Sequence, residues 1–245
     1  MRFRFFLLLL LVNSLVLVQA QTTKVQYGQQ TWFDYLNQNR YNKNWGSWAG
    51  IQLKLTDGYY KSFYASESSL GVTYYTKKNL KLVGAFTYIN QLHTPGTPYH
   101  LNEYRPWEMI QVNTEADHSK TLQWLRLEER FKQTAINDAP STNYDLTYRL
   151  RYYILKQFPL TKHHYQKGSL SFIASDEIYF NYGKNIVYNT FDQNRLSLGF
   201  YYFLNRDNIL QVGYTNVFQQ LNAKNNYSNM DVIRLSVFNN IDFRN

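Results

Sequence analysis

The chain has 245 residues, a formal charge of +9 and no cysteine, and 18% of its residues are aromatic. This length fits one domain. The missing cysteine excludes disulfides, thiol chemistry and cysteine-based metal sites. A basic chain could suit an acidic partner, but nucleic-acid binding would also need an intracellular address, which the N-terminus argues against. We therefore expect no nucleic-acid partner.

Residues 1–20 have the layout of a secretory signal peptide. Arg2 and Arg4 form a short basic start, residues 5–18 are almost all apolar, and Val18 and Ala20 are small enough for the positions that signal peptidase recognises. The apolar run is too short to be a good membrane-spanning helix. We predict cleavage after Ala20 and a single mature domain of residues 21–245.

The rest of the chain shows the alternation of β-strands and no sustained helical periodicity. Many of the alternating segments are about ten residues long, which is the length that a tilted membrane strand needs, whereas strands in soluble proteins are usually shorter. We predict eleven strand-like segments, at residues 25–36, 45–56, 62–75, 80–90, 103–113, 121–132, 144–155, 169–180, 193–204, 208–218 and 231–242.

The two faces of these segments differ in polarity. In 193–204, for example, Leu196 and Leu198 share one face, whereas Arg195 and Ser197 share the other. Charged residues recur on one face of successive strands, as expected for a barrel with a polar interior and an apolar exterior. The predicted fold is therefore all-β, a single antiparallel transmembrane β-barrel. Asp176 and Glu129 are exceptions that fall on the apolar face.

The strand number and the loops follow from the rules for bacterial barrels. A single-chain barrel should have an even number of strands, so one of the eleven assignments would be wrong. We prefer twelve strands and consider ten possible. Longer connections are expected on the extracellular side, at residues 91–102, 133–143, 182–192 and 219–230.

Hairpin geometry places the inward charges beside one another, because residues that face each other across a hairpin sum to twice its centre. The predicted order is an alternating belt, Arg105–Glu128–Arg149–Glu177–Arg195, on five neighbouring strands. The further inward charges are Glu103, Arg126, Arg130 and Arg151. Charges facing lipid would cost roughly 2–4 kcal/mol for Arg or Lys near the midplane, so the belt should face the lumen.

This belt has two interpretations. It could fill and rigidify the interior as a purely structural network, which would give a structural or interaction barrel with a closed lumen. It could instead line a narrow channel or porin, whose excess of positive charge would favour small anionic solutes. A further hypothesis, which does not place the barrel in a membrane, is a soluble periplasmic barrel that binds a ligand inside.

We do not expect an enzyme. The five histidines, at positions 93, 100, 118, 163 and 164, fall in predicted loops, and none has a carboxylate and a nucleophile placed to form a triad. The sequence has no phosphate-binding glycine loop and no histidine-rich metal motif. No catalytic residue, metal site or cofactor is predicted.

An ordered set of motifs carries a family resemblance. The motifs are Arg126–Phe131, Tyr148–Tyr152, Asp176–Asn181 and Phe191–Leu196 with Gly199. Together they resemble the domain-of-unknown-function family 2490, secreted proteins of Gram-negative bacteria regarded as outer-membrane β-barrels. The resemblance implies an outer-membrane location, with lipid, lipopolysaccharide and the barrel-assembly machinery as partners, and it implies no activity.

Overall fold

Eleven strands form one closed barrel in a computed structural model of the protein, which describes residues 23–77, 79–92, 98–116, 118–184, 186–221 and 224–244. The predicted signal peptide, residues 1–20, lies outside the described residues. The strands are β1 (Lys24–Arg40), β2 (Trp45–Thr56), β3 (Ser62–Lys77), β4 (Leu80–Leu92), β5 (His100–Ala116), β6 (Ser119–Ile136), β7 (Ala139–Pro159), β8 (Leu170–Tyr182), β9 (Phe191–Phe203), β10 (Asn208–Gln220) and β11 (Asn226–Asp242).

All eleven segments expected from the sequence correspond to strands, but the preferred number of twelve, and the alternative of ten, are wrong. Ten of the eleven neighbouring pairs are antiparallel, and the barrel closes where β1 pairs with β11 in parallel. An odd number of alternating strands leaves the first and last pointing the same way, so only a parallel seam can close it. The even-number rule does not allow for such a seam.

The parallel seam gives the barrel two distinguishable ends. We call the end where β1 begins the N-end; it also carries the β2–β3, β4–β5, β6–β7, β8–β9 and β10–β11 connections. The opposite end, where β11 finishes, is the C-end, and it carries the five remaining connections. Within the described residues, no helix is long and apolar enough to cross a membrane.

The β6–β7 connection differs most from its predicted form. The long loop expected at 133–143 is largely strand, because β6 continues to Ile136 and β7 begins at Ala139. Asn137 and Asp138 form the turn, with φ angles of 51° and 57°. Two consecutive left-handed residues are typical of a tight hairpin whose twist matches that of the strands. This hairpin therefore extends the wall of the barrel.

The two faces of the wall have opposite character. Leu70, Val72 and Leu196 are among many large apolar side chains exposed on the outside. Glu128, Thr215 and Ser171 are among many polar side chains buried on the inside. The apolar clusters that the described residues form inside are small, such as the one around Val83 and Trp107. The interior of the described barrel is thus mainly polar, and its outer surface is mainly apolar.

Candidate functional site

Glu128 on β6 is the centre of a network of charges inside the barrel. Its side chain has no solvent exposure, and Arg126 and Arg151 approach its Oε1 atom at 2.9 and 2.6 Å. Arg149 lies 2.6 Å from Oε2, and the Nε atom of Arg105 lies 3.7 Å from the same oxygen. A buried carboxylate needs such partners, because burial removes the water that would otherwise solvate its charge.

The network continues toward the N-end through two further carboxylates. Glu103 on β5 binds Arg105 at 2.7 Å and accepts two hydrogen bonds from Arg130, at 2.7 and 3.1 Å. Asp192 on β9 lies 3.0 Å from Arg149 and 3.8 Å from Arg130. Arg130 and Arg149 therefore each bridge Asp192 and a glutamate, which suits the planar, multiply donating shape of arginine.

The network also includes charged side chains on β8, β3 and β2. Arg151 forms an ion pair with Glu177 on β8, and Lys54 on β2 pairs with Glu67 on β3. Glu67 also lies 3.9 Å from Arg105, and this contact connects the Lys54–Glu67 pair to the rest of the network. We call the connected set the charge collar: Lys54, Glu67, Glu103, Arg105, Arg126, Glu128, Arg130, Arg149, Arg151, Glu177 and Asp192.

The predicted belt agrees with this arrangement in some contacts and differs in others. Glu128 and Arg149 are direct partners in the β6–β7 register, and they form an ion pair. The hairpin sum places Arg105 either opposite or diagonal to Glu128, and the structure has it diagonal, since the direct partner of Glu128 on β5 is Trp107. Arg105 and Glu128 therefore meet only at the longer distance of 3.7 Å.

The prediction that Arg149 lies opposite Glu177 is wrong. The β7–β8 register places Arg149 opposite Asn181, and it places Glu177 opposite Tyr153. The cause is the connection between Pro159 and Leu170, whose centre lies further along the chain than the sequence suggested. Arg149 binds Asp192 instead.

The last predicted contact, between Glu177 and Arg195, is present in the strand register but not as an ion pair. Glu177 and Arg195 are direct partners between β8 and β9. However, Glu177 binds Arg151, and Arg195 forms no ion pair within the described residues. The Arg195 guanidinium donates to Gln193 at 3.2 Å and lies 4.7 Å from the centre of the Trp32 ring and 4.8 Å from that of Tyr179.

Aromatic rings pack against several of the collar guanidinium groups. Arg126 lies 4.4 Å from the centre of the Trp107 ring, and Arg149 and Arg151 lie 5.0 and 4.4 Å from that of Tyr179. Trp107 and Tyr179 are both fully buried. The ring faces attract the cations where water is scarce, so they help to fix the arginine side chains in place.

Sequence reasoning missed Lys54, Glu67 and Asp192 as members of the collar. The alternation Leu53–Lys54–Leu55 marks Lys54 as facing away from the apolar side, so this signal was present. Asp192 carried no such signal, because a register irregularity between Tyr179 and Phe180 shifts the start of β9. A separate missed pair joins Asp34 to Arg234 at 2.7 Å across the parallel seam.

A cavity of about 1290 Å³ runs beside the collar inside the barrel. Its lining includes Lys132 and Asn189 near the N-end and Lys81 and Asn240 near the C-end, so it extends along much of the axis. Among the described residues, eleven cationic side chains and six acidic ones line it. The described residues contain no group of three histidine, aspartate or glutamate side chains that could hold a metal ion.

The fold and the site together define a closed β-barrel with a charged, polar interior. The family model described as a protein of unknown function (DUF2490) matches residues 29–228. The chain therefore belongs to this family, as the motifs in the sequence indicated, and the matched region extends from β1 into β11. Comparison with curated proteins and with solved structures found no match.

Proposed function

We propose that the protein is an outer-membrane β-barrel that forms a narrow channel for small, preferentially anionic solutes. The observation that carries the proposal is the inverted polarity of the wall, with the charge collar inside and large apolar side chains outside. In water, such an exterior would be an unusually large exposed apolar surface. In a bilayer, the same surface would contact acyl chains.

Aromatic side chains near both ends support the membrane location. Toward the N-end, Tyr104 contacts Tyr88 and Tyr144, with ring centres 5.6 and 5.5 Å apart. At the C-end, the ring centres of Trp45 and Tyr74 are 4.9 Å apart. Outer-membrane barrels commonly carry such aromatic girdles at both interfaces.

The spacing between the aromatic groups is consistent with a bilayer. On β8, Phe172 packs against Phe158 and Phe200 near the C-end, and Tyr182 stacks on Tyr148 toward the N-end. Ten residue steps separate Phe172 from Tyr182, which is about 33 Å of strand and about 23–27 Å along the axis at a tilt of 35–45°. An outward apolar band is expected to be about 25 Å tall.

The cavity supports the channel and its preference for anions. Residues near both ends of the barrel line it, and in the described part of the lining as a whole the cationic side chains outnumber the acidic ones by eleven to six. A ring of basic side chains favours anions in pores. The N-end would face the outside and contact lipopolysaccharide, insertion would use the barrel-assembly machinery, and the proposal includes no catalytic step and no cofactor.

A second candidate is a structural or interaction barrel whose lumen is closed. The observation that favours it is the position of Arg195 on β9, which reaches the Trp32 ring on β1, two strands beyond its own neighbour β10. Together with Trp107 and Arg126, such contacts occupy part of the lumen. The cavity beside them is the reason to prefer the channel.

The membrane location is tested by fractionating cells that produce the protein. We expect the protein to need detergent for extraction, and unboiled samples to migrate differently from boiled ones in a gel, as folded barrels do. Release from the periplasm without detergent would instead support a soluble, ligand-binding barrel and would overturn the proposal.

The channel is tested with the folded, detergent-purified protein in planar lipid bilayers. We expect discrete conductance steps and, in a KCl gradient, a reversal potential on the anion-selective side. Folded protein that inserts without current would support the closed barrel, and cation-selective current would overturn the anion preference.

A further inference from the structure

Three cationic side chains of the cavity lining differ from the others because they make no ion pair with any residue that the structure describes. They are Lys81, Lys132 and Arg195, whereas the remaining lining cations among the described residues each pair with a carboxylate. A paired cation is largely neutralised for a passing solute, because its carboxylate lies within a few ångströms. A protonated side chain without a carboxylate partner attracts an anion more strongly than a paired one does, because the lumen is partly desolvated.

Arg195 is the unpaired cation at the level of the collar. Its direct strand partner is Glu177, but that carboxylate is held by Arg151. The guanidinium keeps one hydrogen bond to Gln193, is only partly buried, and lies between the rings of Trp32 and Tyr179. Aromatic faces cannot neutralise it as a carboxylate would, so it retains donors for an anion.

Lys81 is the unpaired cation near the C-end. It is the second residue of β4, its side chain is buried, and its ammonium donates to Gln38 and lies 5.6 Å from the centre of the Trp48 ring. While this ammonium is protonated, its protein partners, an amide oxygen and a ring, leave its charge uncompensated.

Lys132 is the unpaired cation toward the N-end. It lies four residues before the end of β6, and its strand partners are Glu103 and Asp145. Glu103 is engaged by Arg105 and Arg130, and Asp145 is exposed. Lys132, Arg195 and Lys81 therefore mark three successive levels of one cavity, from the N-end to the C-end.

We propose that these three side chains form the anion pathway of the channel, with Arg195 as the residue that determines selectivity at the collar. This inference rests on the proposed function and assigns its solute class: small anions, inorganic or with a short carboxylate, that exchange between successive weak sites. Multiple weak sites suit conduction, because an anion must be attracted enough to enter and held loosely enough to leave.

The test measures reversal potentials in a KCl gradient at low ionic strength for the full-length mature protein and its variants. Arg195→Gln and Lys81→Gln should each lower the chloride-to-potassium permeability ratio by about fivefold, which corresponds to about 1 kcal/mol. Lys156→Gln is the matched control, because it removes one positive charge from the exposed outer face of β7 and should leave the ratio unchanged.

A charge-preserving variant separates selectivity from folding. Arg195→Lys should keep the ratio near that of the wild type, and heat-modifiability shows which variants form a barrel. If Arg195→Gln does not fold, the Lys81→Gln measurement decides. Ratios that remain equal to that of Lys156→Gln would overturn the pathway but leave the channel intact, whereas a wild-type barrel without current would overturn the proposed function itself.

Discussion

Glu128 and Glu129 are neighbours on β6, yet they lie in opposite environments. Glu128 points into the barrel, is fully buried and is surrounded by four arginines. Glu129 points outward beside Tyr148, its strand partner, and forms no ion pair within the described residues. The same carboxylate is therefore a structural centre on one face and a peripheral group on the other. This contrast predicts that the barrel tolerates change outside far better than inside.

The largest expected effect comes from removing the centre of the collar. Glu128→Ala leaves several buried guanidinium groups without a carboxylate, and breaking a buried pair in this way costs about 3–5 kcal/mol. Glu129→Ala should change stability by less than about 0.5 kcal/mol, as most surface substitutions do. The stability of both variants is measured from the urea concentration at which each loses its heat-modifiable form. Equal shifts of the two midpoints would contradict the placement of Glu128 inside the barrel and Glu129 outside it.

The inner contacts that the sequence could predict are those across a hairpin whose centre was placed correctly. Glu128 and Arg149 face each other across the β6–β7 hairpin, so the hairpin centre near residue 138 fixed their register. Arg149 and Glu177 are joined by a ten-residue connection, and its uncertain centre moved the predicted partner by four residues. Period-two alternation located all eleven strands, because long strands provide many repeats of the signal.

Contacts between strands that are not neighbours in the sheet could not be predicted from register. Glu67 on β3 reaches Arg105 on β5, and Asp192 on β9 reaches Arg130 on β6. These pairs depend on how the wall curves and on the length of each side chain, which no hairpin sum describes. The parallel closure of β1 on β11 was missed for a related reason, since it is a property of the whole sheet.

A glycine pair on neighbouring strands gives a second, smaller contrast. A Cβ atom on Gly71 of β3 would lie 2.3 Å from the Cβ of Ala85, whereas one on the outward Gly84 of β4 would meet no atom within 4 Å. Gly71→Ala should therefore destabilise by about 1–3 kcal/mol through overpacking, and Gly84→Ala should be nearly neutral. The stabilities of the two variants are compared by the temperatures at which each loses its heat-modifiable form. A Gly71→Ala variant as stable as the wild type would show that the interior is packed less tightly around Gly71.

A milder effect is expected where a carboxylate has fewer partners. Asp192→Asn keeps the shape but removes the charge that Arg149 and Arg130 share, while both arginines retain a glutamate. We expect a loss of about 1–2 kcal/mol, within the range for hydrogen bonds to charged groups. Asp176→Asn, on the outer face, is the control, since Asp176 is exposed and accepts a side-chain hydrogen bond from the half-buried Asn194 within the described residues. Equal losses of stability in the two variants would show that the charge of Asp192 does not stabilise the collar.

The smallest expected effect has the opposite sign. Glu108 points outward from β5 between Pro106 and Ile110, with Gly84 as its partner on β4. A carboxylate on a lipid-facing surface is unfavourable, though less so than Arg or Lys, so Glu108→Leu should stabilise the barrel in lipid vesicles by less than about 2 kcal/mol. Urea midpoints in vesicles measure the change, with Glu108→Gln as the charge-neutral control. If the outer face met water instead of lipid, Glu108→Leu would lower solubility and bring no gain in stability, because it would enlarge an exposed apolar surface.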